Sequence, residues 1–184
     1  MRGGLLRCLA ATVAALCLAG AASAAHDGNP VPTGIALKGH WYHGSAIPEH
    51  GSNAGSALQF KVSVDGKKLV HFVFNGSYTC AKTASSDFFS VPDVTLRTQV
   101  KPYRNGLRQT YNDFSFKGPW KDTAPAEYHG GSGTISIAGA FSNNGRSSKG
   151  KVLINFTTTN PDDDGCSTGT LNWSARPGSG PVFR

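Results

Sequence analysis

The sequence predicts an all-β fold, a single antiparallel β-sandwich or partly closed barrel of about eight strands. Three observations support this prediction. Apolar residues alternate with polar ones over short runs, as in half-buried strands. Turn signals rich in Gly, Asn, Asp and Pro separate these runs. Residues after position 24 show no apolar spacing typical of an amphipathic helix.

The N-terminal residues predict an export signal rather than part of this fold. Two arginines, Arg2 and Arg7, precede an apolar run at 8–20, and Ala22-Ser23-Ala24 has the small-residue pattern of a cleavage site. The apolar run is short for a membrane span, and no second one follows. We therefore expect a signal peptide over 1–24 and a secreted protein, extracellular or in the cell envelope, that begins at Ala25 or His26.

The remaining 160 residues are enough for one domain with a proper core. We expect a flexible lead-in over 25–37, a β-domain over 38–176 and a flexible Gly/Pro-rich tail over 177–184. Without Arg2 and Arg7 the chain has 16 Lys and Arg against 11 Asp and Glu, a formal charge of +5. The basic residues are scattered, which allows a modest attraction to anionic polymers or surfaces but does not predict nucleic-acid binding.

The elements follow in order from these patterns. A short strand is expected over Lys38–Gly44, a loop over 45–55 and a hairpin over 56–80. Residues 81–92 have no clear pattern, although Phe88 and Phe89 are expected in the core. Further strands are expected around Val94–Lys101, Tyr111–Lys117, Ile135–Phe141, Val152–Phe156 and Cys166–Trp173, with a long loop over 118–133.

The first hairpin carries the broadest apolar face of the chain. A two-residue loop at Asp65-Gly66 would put its two apolar sets on opposite faces. A three-residue loop over 64–66, with Gly66 at positive φ, places both sets on one face and pairs Phe60 with Val70. We therefore predict a bulged three-residue turn.

The C-terminal half contains a second hairpin and one further strand. Asn144-Gly145 is the favoured pair for a two-residue type I′ turn, which predicts that Phe141 pairs with Ser148 and Ile137 with Val152. The next connection, over 160–165, predicts a third antiparallel strand in which Leu171 lies opposite Ile154.

Two cysteines, Cys80 and Cys166, remain after removal of the predicted signal. In an exported chain such a pair is most simply a disulfide. The alternative is a catalytic or metal-binding thiol, which the absence of a C-x-x-C spacing disfavours.

Several stretches together resemble small exported bacterial β-proteins that have no assigned activity. They are G-H-W-Y-H-G, the hairpin F-K-V-S-V-D-G-K-K-L-V-H-F-V-F that leads to Cys80, and most specifically C-S-T-G-T-L-N-W-S-A-R. The resemblance covers most of the chain after the signal. It implies a secreted β-sandwich with a Cys80–Cys166 bridge, and it implies no activity.

Aromatic residues in the two longest connections suggest a binding site. We name Tyr103, Arg104, Trp120 and Tyr128 as candidate ligand-binding residues, with Tyr111 nearby, since exposed rings beside polar groups can hold sugars. The alternative is that these rings cap the ends of the sandwich. Trp41 and Trp173 lie in predicted strands and are expected in the core.

Metal and hydrolytic sites are weaker hypotheses. Cleavage after Ala25 would leave His26 as an N-terminal copper ligand, as in the lytic polysaccharide monooxygenases, with partners among His40, His43, His50 and His129. A chain that begins at Ala25 loses this site, and no cofactor is expected. Asp162-Asp163-Asp164 lacks the spacing of known Ca²⁺ loops. Glu49 and Glu127 both lie in predicted loops and do not suggest the facing carboxylates of a glycosidase.

The sequence thus favours a secreted, non-enzymatic binding module whose partner is a glycan or an anionic cell-envelope polymer. The alternative is a secreted enzyme on the same fold, either a copper oxidase or a degenerate glycoside hydrolase.

Overall fold

The computed structural model describes residues 31, 33–49, 56–121, 131–158 and 165–183. This part of the chain is nearly all strand, with one 3₁₀ turn (Arg104–Gly106) and no α-helix. The strands are β1 (Trp41–Pro48), β2 (Ser56–Val62), β3 (Lys68–Thr79), β4 (Ala84–Val91), β5 (Val94–Thr95), β6 (Arg97–Pro102), β7 (Arg108–Lys121), β8 (Gly131–Ser142), β9 (Ser147–Thr158), β10 (Cys166–Ser167) and β11 (Leu171–Gly178).

Six of these strands form a closed antiparallel barrel in the order β1-β2-β3-β10-β9-β11. The sheet continues beyond β9 through β8, β7 and β6, while β4 and β5 pair with the other edge of β3. The predicted all-β antiparallel fold is confirmed. Of the two predicted architectures, a β-sandwich and a partly closed barrel, the structure has the barrel, with further strands outside it.

The barrel closes at a short seam next to the disulfide. Ser167 in β10 lies opposite both Asn155 of β9 and Thr79 of β3. Cys80, which follows β3, is bonded to Cys166, and the two cysteines are 86 residues apart in sequence. The predicted disulfide is confirmed, and it reinforces the place where only two residues join the sheet edges.

The core lies inside the barrel and continues under β4, β7 and β8. Its centre is a group of aromatic rings packed face to face and edge to face, a geometry that adds to the free energy of area burial. These rings are Tyr42, Phe60, Phe72, Phe114, Phe141 and Trp173. A second group at the disulfide end consists of Phe74, Tyr78, Phe89, Trp120 and Phe156.

The first hairpin has the predicted glycine but a different register. Gly66 has φ of 75°, as expected, but the loop spans the four residues 64–67 and places Val62 opposite Leu69. With a loop of even length, the apolar residues of β2 and β3 would lie on opposite faces of the sheet. One extra residue in β3, a β-bulge, returns them to the same face. His71, with φ of 51°, is the extra residue opposite Phe60, so that Leu69 and Phe72 both face inward.

Side-chain hydrogen bonds fix this four-residue loop. The Ser63 hydroxyl donates to Asp65 Oδ1 at 2.5 Å, and the Lys67 backbone N–H donates to the same carboxylate at 3.0 Å. These hydrogen bonds lower the pKa of Asp65 because they stabilise its charged form.

The second hairpin is confirmed in type and register. Asn144 and Gly145 both have positive φ, and Phe141 pairs with Ser148 as predicted. The third strand is present, but its predicted register is wrong by two residues, since Leu171 lies opposite Val152 rather than Ile154. A two-residue shift keeps every side chain on its predicted face.

Several expected boundaries also differ. The first strand begins at Trp41 rather than Lys38, and it ends at Pro48, within the stretch 45–55 that was expected to be a loop. The region expected to be irregular contains β4, which pairs with β3 along its whole length. Phe89 is buried as predicted, but Phe88 points outward and is 47% exposed.

The segments expected to be flexible make specific contacts where the structure describes them. Before β1, the backbone N–H groups of Thr33 and Ala36 donate to the side chains of Asn144 and Asn112. After β11, which runs to Gly178, residues 179–183 cross the outer face of the barrel and bond to β1 and β2. The predicted signal peptide lies outside the described residues.

Candidate functional site

Of the four predicted ligand-binding residues, the structure describes Tyr103, Arg104 and Trp120, and it does not bring Trp120 together with the other two. Tyr103 is half-buried beside the exposed Arg104, in the turn between β6 and β7. Trp120 lies near the other end of β7, twelve residues beyond Arg108, the first residue of the strand. At ~3.3 Å per residue, Trp120 and Arg108 are about 40 Å apart along the strand. Tyr128 lies outside the described residues.

Trp120 is a packing residue, which was the alternative to a binding role for these aromatic rings. It is part of β7 rather than of a loop, and only 3% of it is exposed. Its indole Nε1 donates to the Ser90 carbonyl at 2.8 Å, and its ring packs against Phe89 and Phe156. With no exposed ring face, Trp120 contributes to stability rather than to a binding surface.

Trp173 is in the core as predicted, whereas Trp41 is not. Trp41 is half-buried on the outer face of β1. Its ring stacks on His71, with centroids 5.8 Å apart, and the Lys61 ammonium lies 5.7 Å from its centroid. The bulge at His71 brings this imidazole over the indole, which the sequence pattern alone did not indicate.

The candidate metal ligands do not converge where the structure describes them. His40 precedes β1 and is exposed, while the Nε2 of His43 donates to the Gly180 carbonyl at 2.6 Å. Within the described ranges no three His, Cys, Asp or Glu side chains lie close enough to hold a metal ion. His26, His50, His129 and the aspartates at 162–164 lie outside those ranges.

The described residues line a basic groove that the sequence did not predict. Its wider part encloses about 730 Å³ and a narrower part about 340 Å³, and the two share Ser147, Lys149 and Arg176. We call these two parts together the basic groove. Its lining residues are Leu37, His40, His43, Gly44, Ser45, Ser142, Asn143, Arg146, Ser147, Lys149, Ser174, Ala175, Arg176 and Pro177.

Strand alternation places the polar side chains of the groove on the outer face of the barrel. On β9, Ser147 and Lys149 point outward while Ser148 is buried, and on β11 Ser174 and Arg176 alternate with buried residues. The antiparallel register sets Ser174 opposite Lys149. On the other side of β11, Arg176 lies opposite His43 and Ser174 opposite Ser45.

The tight turn before β9 contributes the third cation. Arg146 follows Asn144-Gly145 and closes the turn, since its N–H donates to the Asn143 carbonyl at 3.0 Å. The Tyr42 hydroxyl holds this turn in place, because it donates a hydrogen bond to the Gly145 carbonyl at 2.6 Å. A buried tyrosine thus fixes one end of the groove.

The groove carries positive charge that nothing in the described structure neutralises. Arg146, Lys149 and Arg176 line it. Among the described residues, no Asp or Glu lines it, and none of the three cations forms an ion pair with a carboxylate. By contrast, the next outward cation on β9, Lys151, is paired with Glu49 at 2.7 Å. A cleft lined by one sign of charge concentrates counter-ions and anionic ligands.

The described residues of the groove offer hydrogen-bonding groups but no flat aromatic surface. Four serine hydroxyls and the Asn143 amide lie among the cations, and no Phe, Tyr or Trp is among these described lining residues. Hydroxyls and amides can donate to or accept from sugar hydroxyl groups, whereas nucleic-acid bases are usually held by stacking on aromatic rings.

No protein-family model, curated protein or solved structure that was searched matches the chain. The resemblance to small exported bacterial β-proteins therefore stays a prediction. Across the described ranges, no helix has the length and apolarity that crossing a bilayer requires.

Proposed function

We propose that this protein is an exported, non-enzymatic binding module that holds an acidic polysaccharide in the basic groove. The observation that carries this proposal is the cluster of Arg146, Lys149 and Arg176 in an open concavity that is lined by no carboxylate of the described residues. The proposal keeps the partner class expected from the sequence and moves the site from the aromatic loops to the outer face of β9, β11 and β1.

The shape of the groove supports a polymer rather than a single small anion. The two concavities are contiguous, and Lys149 and Arg176 belong to both. Neighbouring strands are about 4.8 Å apart, so cations on β9 and β11 can contact successive charged groups of an extended chain. Arginine suits this role because its guanidinium binds carboxylate, sulfate or phosphate through two parallel hydrogen bonds.

Binding of dextran sulfate against uncharged dextran tests the proposal. We expect dextran sulfate alone to bind, with an affinity that falls as NaCl is raised, because exposed charges are screened over about 8 Å at physiological ionic strength. The double variant K149Q/R176Q should bind at least tenfold more weakly. K117Q, at an exposed position on β7 away from the groove, is the matched control and should change affinity less than twofold.

Two outcomes would contradict the proposal. Equal affinities for dextran and dextran sulfate would show that binding does not depend on charge. An equal loss of affinity in K117Q and in K149Q/R176Q would show that the ligand is not held in the groove. Tighter binding of a single-stranded oligonucleotide than of dextran sulfate at the same salt concentration would place the ligand in the nucleic-acid class instead.

A further inference from the structure

Gln59 is a buried polar side chain at an unusual place, the outer face of β2. Only 3% of it is exposed, although it points away from the barrel core. It lies between His43 of β1 and Val73 of β3 in the sheet register. A buried amide that lacks hydrogen-bond partners is destabilising, so something must cover and satisfy it.

The segment over residues 179–183, which we call the trailing segment, supplies these partners through its backbone. Gln59 Oε1 accepts hydrogen bonds from the N–H groups of Val182 at 2.6 Å and Phe183 at 2.8 Å. Gln59 Nε2 donates to the Phe183 carbonyl at 3.1 Å. Successive N–H groups of an extended chain point to opposite sides, so the two that meet at one oxygen belong to a bend at Val182. One side-chain amide thus binds the backbone of this bent dipeptide, a contact that does not depend on the side chains of that dipeptide.

Two further contacts, one on each side of Gln59, set the direction in which the trailing segment crosses the sheet and hold the Phe183 side chain in place. On one side of Gln59, His43 Nε2 donates to the Gly180 carbonyl at 2.6 Å. On the other side, the rings of Phe88 and Phe183 pack with centroids 5.2 Å apart. Together, Gln59, His43 and Phe88 bind a short bent peptide at three points across β1, β2 and β4.

These contacts have the character of peptide recognition rather than of core packing. Val182 is 62% exposed and Phe88 47% exposed, so little apolar area holds the segment in place. The connection to β11 passes through Gly178 and Gly180, and the latter has φ of 75°. Segments held by few buried apolar contacts open at low free-energy cost.

We propose that Gln59, His43 and Phe88 form a peptide-binding site for a short bent segment with an aromatic residue at the Phe183 position. The trailing segment is its resident occupant, and a free peptide of the same kind can replace it. His43 also lines the narrower part of the basic groove, so the two proposed sites adjoin. Gln59 and Phe88 do not line the groove, and they are the residues through which the peptide site is tested on its own.

A competition experiment on the full chain tests the site. The probe is a fluorescent peptide with capped ends and the sequence Gly-Ser-Gly-Pro-Val-Phe, and its binding is followed by anisotropy. The attached segment competes at an effective concentration of about millimolar, as expected for a short flexible linker. The wild-type chain should therefore bind the probe weakly, and F183S, which weakens the attached competitor, should bind it at least tenfold more tightly.

Two second-site variants show whether the proposed residues hold the probe. In the F183S background, Gln59→Leu should lower probe affinity at least tenfold, and Phe88→Ser at least threefold. Thermal unfolding of each variant reports whether the barrel is intact, and Phe88→Ser changes an exposed side chain that the fold does not need. Absence of binding to F183S at millimolar probe, or unchanged affinity in both double variants, would overturn the proposal.

Discussion

At the scale of single residues, Tyr42 shows how one buried hydroxyl links distant parts of the chain. Its ring is fully buried between Phe60 and Phe141. Its hydroxyl donates to the Gly145 carbonyl at 2.6 Å and accepts from the Leu37 N–H at 3.1 Å. Burial raises the pKa of Tyr42, an effect that the Leu37 hydrogen bond partly offsets.

Tyr42→Phe should therefore destabilise the protein by about 1–3 kcal/mol, since it leaves a buried carbonyl and a backbone N–H without a partner. Urea unfolding measures this change. Tyr111→Phe is the control, because the Tyr111 ring is half-buried and its hydroxyl has no partner within the described structure. Equal losses from the two variants would contradict the role given to the Tyr42 hydroxyl.

The same pair of variants predicts a pH dependence. Because the pKa of Tyr42 is higher in the folded state, its contribution is fully present below the unfolded value near 10 and is lost as pH rises through the folded value. The stability difference between wild type and Tyr42→Phe should therefore shrink above about pH 10. A difference that stays constant between pH 8 and 11 would argue against a raised pKa.

At the scale of elements, turn chemistry predicted one hairpin fully and the other only in part. Asn144-Gly145 fixed both loop length and register because this pair strongly favours a single turn type. In the first hairpin, Asp65-Gly66 allowed more than one loop length, and the prediction placed a bulge in the turn at Gly66 but none within β3. Leu69 and Phe72 are three positions apart and both buried. Because a regular strand buries residues an even number of positions apart, this odd spacing is the evidence in the sequence for the bulge at His71.

Glycines explain why the last strand is shifted by two residues from its predicted register. Trp173 lies opposite Gly150, and a Cβ on Gly150 would lie 2.5 Å from the indole. The predicted register placed Trp173 opposite Val152, where there is no such space. Gly139, which pairs with Gly150 across β8 and β9, is also in contact with this indole.

Gly139→Ala should consequently destabilise the protein by about 1–3 kcal/mol through overpacking. The added Cβ would lie 2.6 Å from the Trp173 ring and 2.7 Å from the Phe114 ring. Thermal or urea unfolding measures the loss, and combining Gly139→Ala with Trp173→Phe should cost less than the sum of the two single changes. Ala138→Val, on the exposed face of the same strand, should change stability by less than ~0.5 kcal/mol.

At the scale of the whole molecule, the sequence predicted the barrel better than the candidate site. Strand alternation and turn chemistry are local, so the all-β class and the buried faces could be derived from neighbouring residues. The basic groove depends on β9 pairing with β11 and on β11 pairing with β1. Lys149 and Arg176 are 27 positions apart in sequence, and only the register places their strands side by side.

Two residues of the predicted aromatic site, Tyr103 and Trp120, lie apart for a related physical reason. Tyr103 and Trp120 are close in sequence, but the segment between them is a long extended strand that carries them apart. Trp120 also lies in β7 rather than in the expected loop, because Gly118 and Pro119 remain paired with Ile135 and Thr134. Glycine and proline ended a predicted strand where the sheet continues.

The barrel as a whole depends on its seam, which makes the disulfide the most sensitive link in the fold. C80A/C166A should lower the free energy of unfolding by about 3–5 kcal/mol, as the chain-entropy model gives for loops of this length. The Thr168 N–H, which donates to the Ile154 carbonyl beside the seam, should then exchange with deuterium faster than the amides in the middle of the β8–β9 pair.

The pattern of exchange separates two effects of removing the disulfide. If the bond only constrains the unfolded chain, all slowly exchanging amides in the variant should speed up together through global unfolding. If it also holds β10 between β3 and β9, the amides near Ser167 should open first, since two residues alone make that connection. Closure by so short a strand favours the second outcome, and a stability loss below ~1 kcal/mol with uniform exchange would contradict it.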